Sequence, residues 1–213
     1  MKIKSIFLLA LLSVVSVGMV LGRNIATQDP WGQFLVWNLF LAWLPLGFSY
    51  TASWIYYRHT TYRWLCWLLA GAWLAFFPNA PYLITDLMHL KSSPNHLIWY
   101  DALMNFSFAL AGLLTGLYSI LLIHRLIEKL WGNTFAWLMV TISLVLSSYG
   151  VYLGRFGRWN SWDIITHPNA LFRYIWHSVQ TPLAQQLTLS FSFAMLLIYF
   201  AFWFFVRYRS VLK

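Results

Sequence analysis

Charge is what this sequence has least of: 9% of its 213 residues are Asp, Glu, Lys or Arg, where a soluble domain carries about 25%. A chain so poor in charge has no means of covering a water-facing surface, and a soluble globular fold is excluded. Acidic residues are the scarcest, five against fourteen Lys and Arg, which leaves a net charge of +9. A nucleic-acid partner would need those cations gathered on one face or one helix. Here they are scattered in ones and twos between apolar runs, and that partner is excluded too. There is one cysteine, Cys66, so an intrachain disulfide and a cysteine-only metal site are ruled out. It lies in the apolar run WLCWLLAGAW, where it reads as a small packed side chain. Low-complexity linkers and internal repeats are also missing.

What is present is apolar: 61% hydrophobic and 20% aromatic residues. Several stretches approach the roughly 20 apolar residues that cross a bilayer core. They predict an all-α polytopic membrane bundle, a single domain over 1–213. Its six transmembrane helices fall at about 6–21, 31–57, 64–84, 98–123, 134–153 and 187–206, with one long loop at 154–186. The first run follows Lys2 and Lys4, as in a signal peptide. Its length and the lack of an A-x-A-like site favour an uncleaved helix.

Orientation follows from Lys and Arg in the connections. With both termini inside, the cytoplasmic side holds nine: Lys2, Lys4, Arg58, Arg63, Arg125, Lys129, Arg207, Arg209 and Lys213. The outer side holds five: Arg23, Lys91, Arg155, Arg158 and Arg173. Trp31, Trp99 and Trp159 outside, with Trp54, Trp64, Trp131 and Trp203 inside, fit the interfacial belts. His59 and His124, beside arginine near inner helix ends, read as interfacial.

Four of the five acids, Asp29, Asp86, Asp101 and Asp163, fall on the outer side, and other polar residues gather at that depth. The first cluster is FFPNAPYLITDLMHL, residues 76–90. Trp64 to Phe77 is 14 residues, about 21 Å of helix and too short to cross. The third helix should therefore break at Pro78–Pro81, a non-helical turn buried among other helices, with Asn79 bonding freed backbone groups. Beyond it, Asp86 and His89 are spaced to face one way. The second cluster opens the fourth helix with Tyr100, Asp101 and Asn105; Gly112, Gly116 and Ser119 continue that face inward. Asn38, two turns below the outer end of the second helix, can join them. The third cluster is SSYGVYLGRFGRWNSWDI, residues 147–164, with Arg155, Arg158, Asn160 and Asp163. The segment after it, 169–179, reads as an amphipathic interfacial helix.

These three segments, in this order, resemble a family of bacterial membrane proteins known as domain of unknown function 1361. The resemblance covers nearly the whole chain and implies a bacterial inner-membrane location. It implies no activity, so any site is argued from the residues.

Three readings follow. In one, the arginines pair with carboxylates and lock helix ends together. In another, the clusters converge on one outward-facing pocket, with Arg155 or Arg158 near Asp86, Asp101 or Asp163. It would bind or process an anionic headgroup, from a phospholipid or a polyprenyl-phosphate envelope precursor. Arg155, Arg158, Asn79, Asn105, Asn160, Asp163, Tyr100 and Asn38 would bind it. Asp86, His89 and Asp101 are the candidates for catalysis. The third reading is small-solute transport, which needs a polar path continuing to the cytoplasm. Asp86, His89, His96 and Asp101 are possible metal ligands by type but lack any strict spacing, so no metal or other cofactor is expected. Asp163 and His167 are one helical turn apart, although Pro168 biases His167 away from helix.

Overall fold

The computed structural model describes residues 3–58 and 60–211. His59, and Lys2 and Lys213 of the basic count, lie outside the described residues. The described chain is helical, with no strand, and six of its segments are long and apolar enough to span a membrane. The chain is a polytopic helical membrane protein. Its helices are α1 (Ile3–Thr27), α2 (Gln33–Arg58), α3 (Trp64–Phe76), α4 (Asn79–Thr85), α5 (Ile98–Trp131), α6 (Asn133–Gly157), α7 (Asp163–Thr166), α8 (Pro168–Ser178) and α9 (Pro182–Val211). Most run longer than their apolar cores, because polar residues at the ends still bond along the helix. The connection between α5 and α6 is Gly132 alone, at φ 86°, a left-handed backbone that glycine adopts at little cost.

The chain forms two compact units, Met1–Ser119 and Ile120–Lys213, the division falling inside α5. In the first unit, α2 packs against α1, α3 and α4. Its core is Val20, Leu35, Leu39, Ala42, Ala80, Leu83, Met104, Phe108 and Ala111. The small-residue face of α5 packs as its spacing predicts. A Cβ on Gly112 would lie 2.8 Å from the Ala80 carbonyl oxygen, and one on Gly116 would lie 2.8 Å from the Ala80 Cβ. Bare α-carbons on α5 thus let the α4 backbone approach closely. Trp73 donates its indole N–H to Ser119 Oγ at 3.2 Å. Cys66 is buried, with its Sγ 3.3 Å from the Ala52 carbonyl.

The interruption of the third span is narrower than the sequence suggests. Only Phe77 and Pro78 fall outside helix; Asn79, Ala80 and Pro81 form the first turn of α4. The physical reason is that prolines are tolerated where amide groups lack helical partners anyway, and a first turn is such a place. Pro78 caps α4 with helical dihedrals. The segment is buried as expected, with Phe77, Ala80 and Pro81 inside. Asn79 does bond a freed group, donating Nδ2–H to the Phe76 carbonyl at 2.9 Å.

In the second unit α6 packs against α9. Ala136, Val140, Leu144 and Ser148 recur every four residues on the buried face of α6. His124 corrects the interfacial reading: it is fully buried. Its Nδ1 lies 2.7 Å from the Tyr199 hydroxyl, and the Trp137 ring meets it edge-on at 4.9 Å. An adjacent arginine places a helix end near water, but it does not say which face of the helix the histidine takes.

Candidate functional site

The polar residues of the first unit converge around the start of α2. Asp86 is 1% exposed and begins a 3-10 turn, Asp86–Ser92. There, residues three apart eclipse, and His89 Nε2 comes to 3.9 Å from Asp86 Oδ1. Asn38, from α2, donates its amide to Asp86 Oδ2 at 2.9 Å. One turn earlier on α2, Phe34 packs edge-on against His89 at 4.8 Å and against Trp31 at 6.0 Å. Trp31 in turn lies under the Arg23 guanidinium, 4.5 Å from ring centre to Cζ.

Arg23 is the residue that sequence reasoning missed as a partner. It is 3% exposed and holds the fully buried Asp101 in a fork, Nε to Oδ1 at 2.7 Å and Nη2 to Oδ2 at 3.3 Å. Its Nη1 is 3.5 Å from Asp29. The signal was available: a lone arginine near the end of an apolar helix needs a carboxylate at its own depth. Asn105 is fully buried and donates to the Asp101 carbonyl at 2.7 Å. Tyr100 donates its hydroxyl to the Met19 carbonyl at 2.7 Å, tying α5 to α1. Asn79 serves the helix break described above.

The third cluster belongs to the second unit. Asp163 closes its own loop, accepting the Asn160 N–H at 2.8 Å and the Thr166 hydroxyl at 3.0 Å, with His167 Nδ1 at 3.3 Å. The Asn160 amide is the main reason the Asp163 carboxyl is held below the ordinary carboxylate range. A lowered folded pKa gives stability that is present above the unfolded value, about 3.9. That stability is lost as pH falls through the folded value. Hydrogen-exchange protection over residues 158–167, corrected for the intrinsic pH dependence of exchange, should therefore be flat from neutral pH down to the ordinary Asp range and fall only below it. Asp163→Asn should show the low protection at every pH, and identical protection profiles for the two proteins would disprove the role.

Arg158 stands at the C-cap of α6 in the left-handed region, φ 56°, a conformation that costs a non-glycine residue of order 1–3 kcal/mol. It is exposed, and among the described residues its guanidinium makes no ion pair. Beside it, the Trp159 indole nitrogen is buried and makes no hydrogen bond among the described residues. That ring packs on Tyr174 of α8 at 5.9 Å. Gly157 permits the contact, since a Cβ there would fall 2.8 Å from the Tyr174 ring. Burial, with Tyr152 alongside, pushes the Tyr174 hydroxyl up, so it stays a neutral donor at ordinary pH. Arg155 is half-buried one turn before Arg158. No group of three or more His, Cys, Asp or Glu suited to a metal occurs among the described residues.

A family model described as "Protein of unknown function (DUF1361)" matches residues 37–205. The chain belongs to this family. The match takes in Asn38, Asp86, Asp101 and the whole third cluster, while Arg23 and α1 precede it. No curated protein and no solved structure matches the chain.

Proposed function

We propose that this multi-pass membrane protein binds an anionic headgroup at the α6–α8 end of its second unit. The observation that carries this is that Arg158 and Trp159, adjacent in sequence at the end of α6, both carry donors without a partner. One is an exposed cation without an ion pair and the other a buried N–H donor without an acceptor, both among the described residues. A phosphate oxygen would satisfy the guanidinium directly and the indole N–H once the Trp159 ring uncovers it, because guanidinium forks match phosphate and a buried donor left unbonded costs about 1–3 kcal/mol. Arg155 and Arg173 add positive charge nearby in sequence, and Asp163 is engaged by its own loop. With the termini inside, as the nine-to-five basic asymmetry favours, this end faces outward, in keeping with a bacterial inner-membrane protein that handles a phospholipid or envelope precursor.

The structural reading applies best to the first unit. There Arg23–Asp101 and Asn38–Asp86 tie helices together through buried polar contacts. We assign Asp86, Asp101 and Asn105 to this role, with the half-exposed His89 beside Asp86. Transport has less support in the second unit. Val140, Leu144 and Met195 are buried on the packed faces of α6 and α9. The seven residues from Ser192 to the Tyr199–His124 pair span about 10 Å of helix, too far for one polar step.

Native mass spectrometry of protein released from mixed phosphatidylglycerol and phosphatidylcholine nanodiscs tests the reading. Phosphatidylglycerol should be retained well beyond its share of the bilayer; retention in proportion to composition would refute it. Reporter fusions after Lys129 and within 169–178 should read cytoplasmic and external respectively, and the reverse would turn the site inward.

A further inference from the structure

We propose that α8 is a bilayer-docking helix seated in the outer leaflet, so that the anion reaching Arg158 and Trp159 is the headgroup of a membrane lipid. The second half of this proposal rests on the headgroup reading above; the docking itself does not.

Depth is the first argument. α6 has 25 residues, about 38 Å of helix against a hydrocarbon core of about 30 Å, so it overhangs by only a few ångström at each end. Tyr149 lies eight residues, about 12 Å, before the end of α6. Its hydroxyl meets the α8 helix twice, at Ser178 Oγ (2.6 Å) and at the Ile175 carbonyl (3.2 Å). The C-terminal half of α8 is therefore held at the level of the outer leaflet, below the end of α6. The return path agrees. Only Val179, Gln180 and Thr181 separate α8 from the membrane span that starts at Pro182, and three residues reach at most about 11 Å. Thr181 also lies 3.5 Å from the Tyr152 hydroxyl of α6.

Surface chemistry is the second argument. At 100° per residue, Leu171, Tyr174, Ile175 and Ser178 share the face turned to α6, and Leu171 and Ser178 are buried. Phe172, Trp176 and Val179 form the adjoining flank, and they are 65%, 63% and 49% exposed. In the preceding turn Ile165 is 85% exposed. Arg173 and His177 occupy the opposite flank, both exposed. An apolar flank beside the protein and a basic flank away from it suit a helix lying in an interface of anionic headgroups. Aromatic side chains at that depth anchor it. A lipid seated against Phe172 and Trp176 would present its phosphate to the arginine end of α6 from within the membrane.

The test uses the full chain in nanodiscs of phosphatidylglycerol and phosphatidylcholine. Spin labels on Phe172→Cys and Trp176→Cys, in a Cys66→Ala background, should be accessible to oxygen and shielded from a water-soluble nickel chelate. Free accessibility to the chelate would overturn docking. Trp176→Ser should lower retained phosphatidylglycerol severalfold, and millimolar inorganic phosphate should not displace the lipid. Displacement by phosphate, or unchanged retention in Trp176→Ser, would overturn the lipid source while leaving the headgroup site standing. Loss of lipid preference in wild-type protein with the labels still in lipid would instead mark failure of the headgroup reading alone.

Discussion

Replacing Arg23 with alanine should be the most damaging single change in the first unit. It strands the fully buried Asp101 carboxylate without its two guanidinium hydrogen bonds. Breaking a buried pair by removing one partner typically costs about 3–5 kcal/mol. The Asp29 contact adds little, because that carboxylate is 57% exposed at 3.5 Å and exposed pairs contribute about 0–1 kcal/mol. Removing both charges should be far milder. Arg23→Met combined with Asp101→Leu replaces the pair with apolar groups of similar size, a change that is often neutral or better. Thermal unfolding of Arg23→Ala, of Asp101→Leu alone and of the double variant in one detergent gives the comparison. Two single variants that unfold like wild type, or a double variant worse than both, would show that the pair does not hold α1 to α5.

The second large effect is expected at Arg158, and it should be one of binding rather than of folding. Arg158→Ala removes an exposed side chain without an ion pair among the described residues, so melting should hardly change. Retention of phosphatidylglycerol should fall about tenfold or more, since a hydrogen bond to a charged group is worth about 1.5–3 kcal/mol. Arg158→Gly separates the two roles of this position. It relieves the left-handed backbone at φ 56° and should raise the melting temperature while binding is still lost. A structural arginine would behave otherwise, with melting falling in both variants and lipid retention following stability.

Most of the architecture could be read from the sequence because lipid leaves few choices. Apolar runs of sufficient length must be helices, and two prolines three apart must disturb one. The extent of that disturbance was not legible. Proline is harmless in a first turn, so Asn79–Pro81 stayed helical and only Phe77 and Pro78 were lost. Gly112 and Gly116 gave away their packing because a bare α-carbon on one face has one main use. Partner choice was harder. Asp86 and His89 come together as their spacing suggests, while Asn38 bonds Asp86 rather than joining Asp101 and Asn105. The guanidinium that Asp101 takes comes from Arg23, 78 residues away on the first helix, and spacing carries no information over such a separation. His124 was misplaced because its burial is set by Tyr199 and Trp137 on other helices. The α8 helix showed its amphipathic period in the sequence. Its depth became visible only through the Tyr149 contacts.

The most direct test of the headgroup site is an experimental density map of the protein in phosphatidylglycerol nanodiscs, viewed at Arg158 and Trp159. Headgroup density is expected with phosphate oxygens about 2.7–2.9 Å from the guanidinium and within hydrogen-bond reach of the Trp159 indole nitrogen, its acyl chains running along Phe172 and Trp176. An Arg158 paired with a protein carboxylate, and a Trp159 N–H bonded to protein, would contradict it.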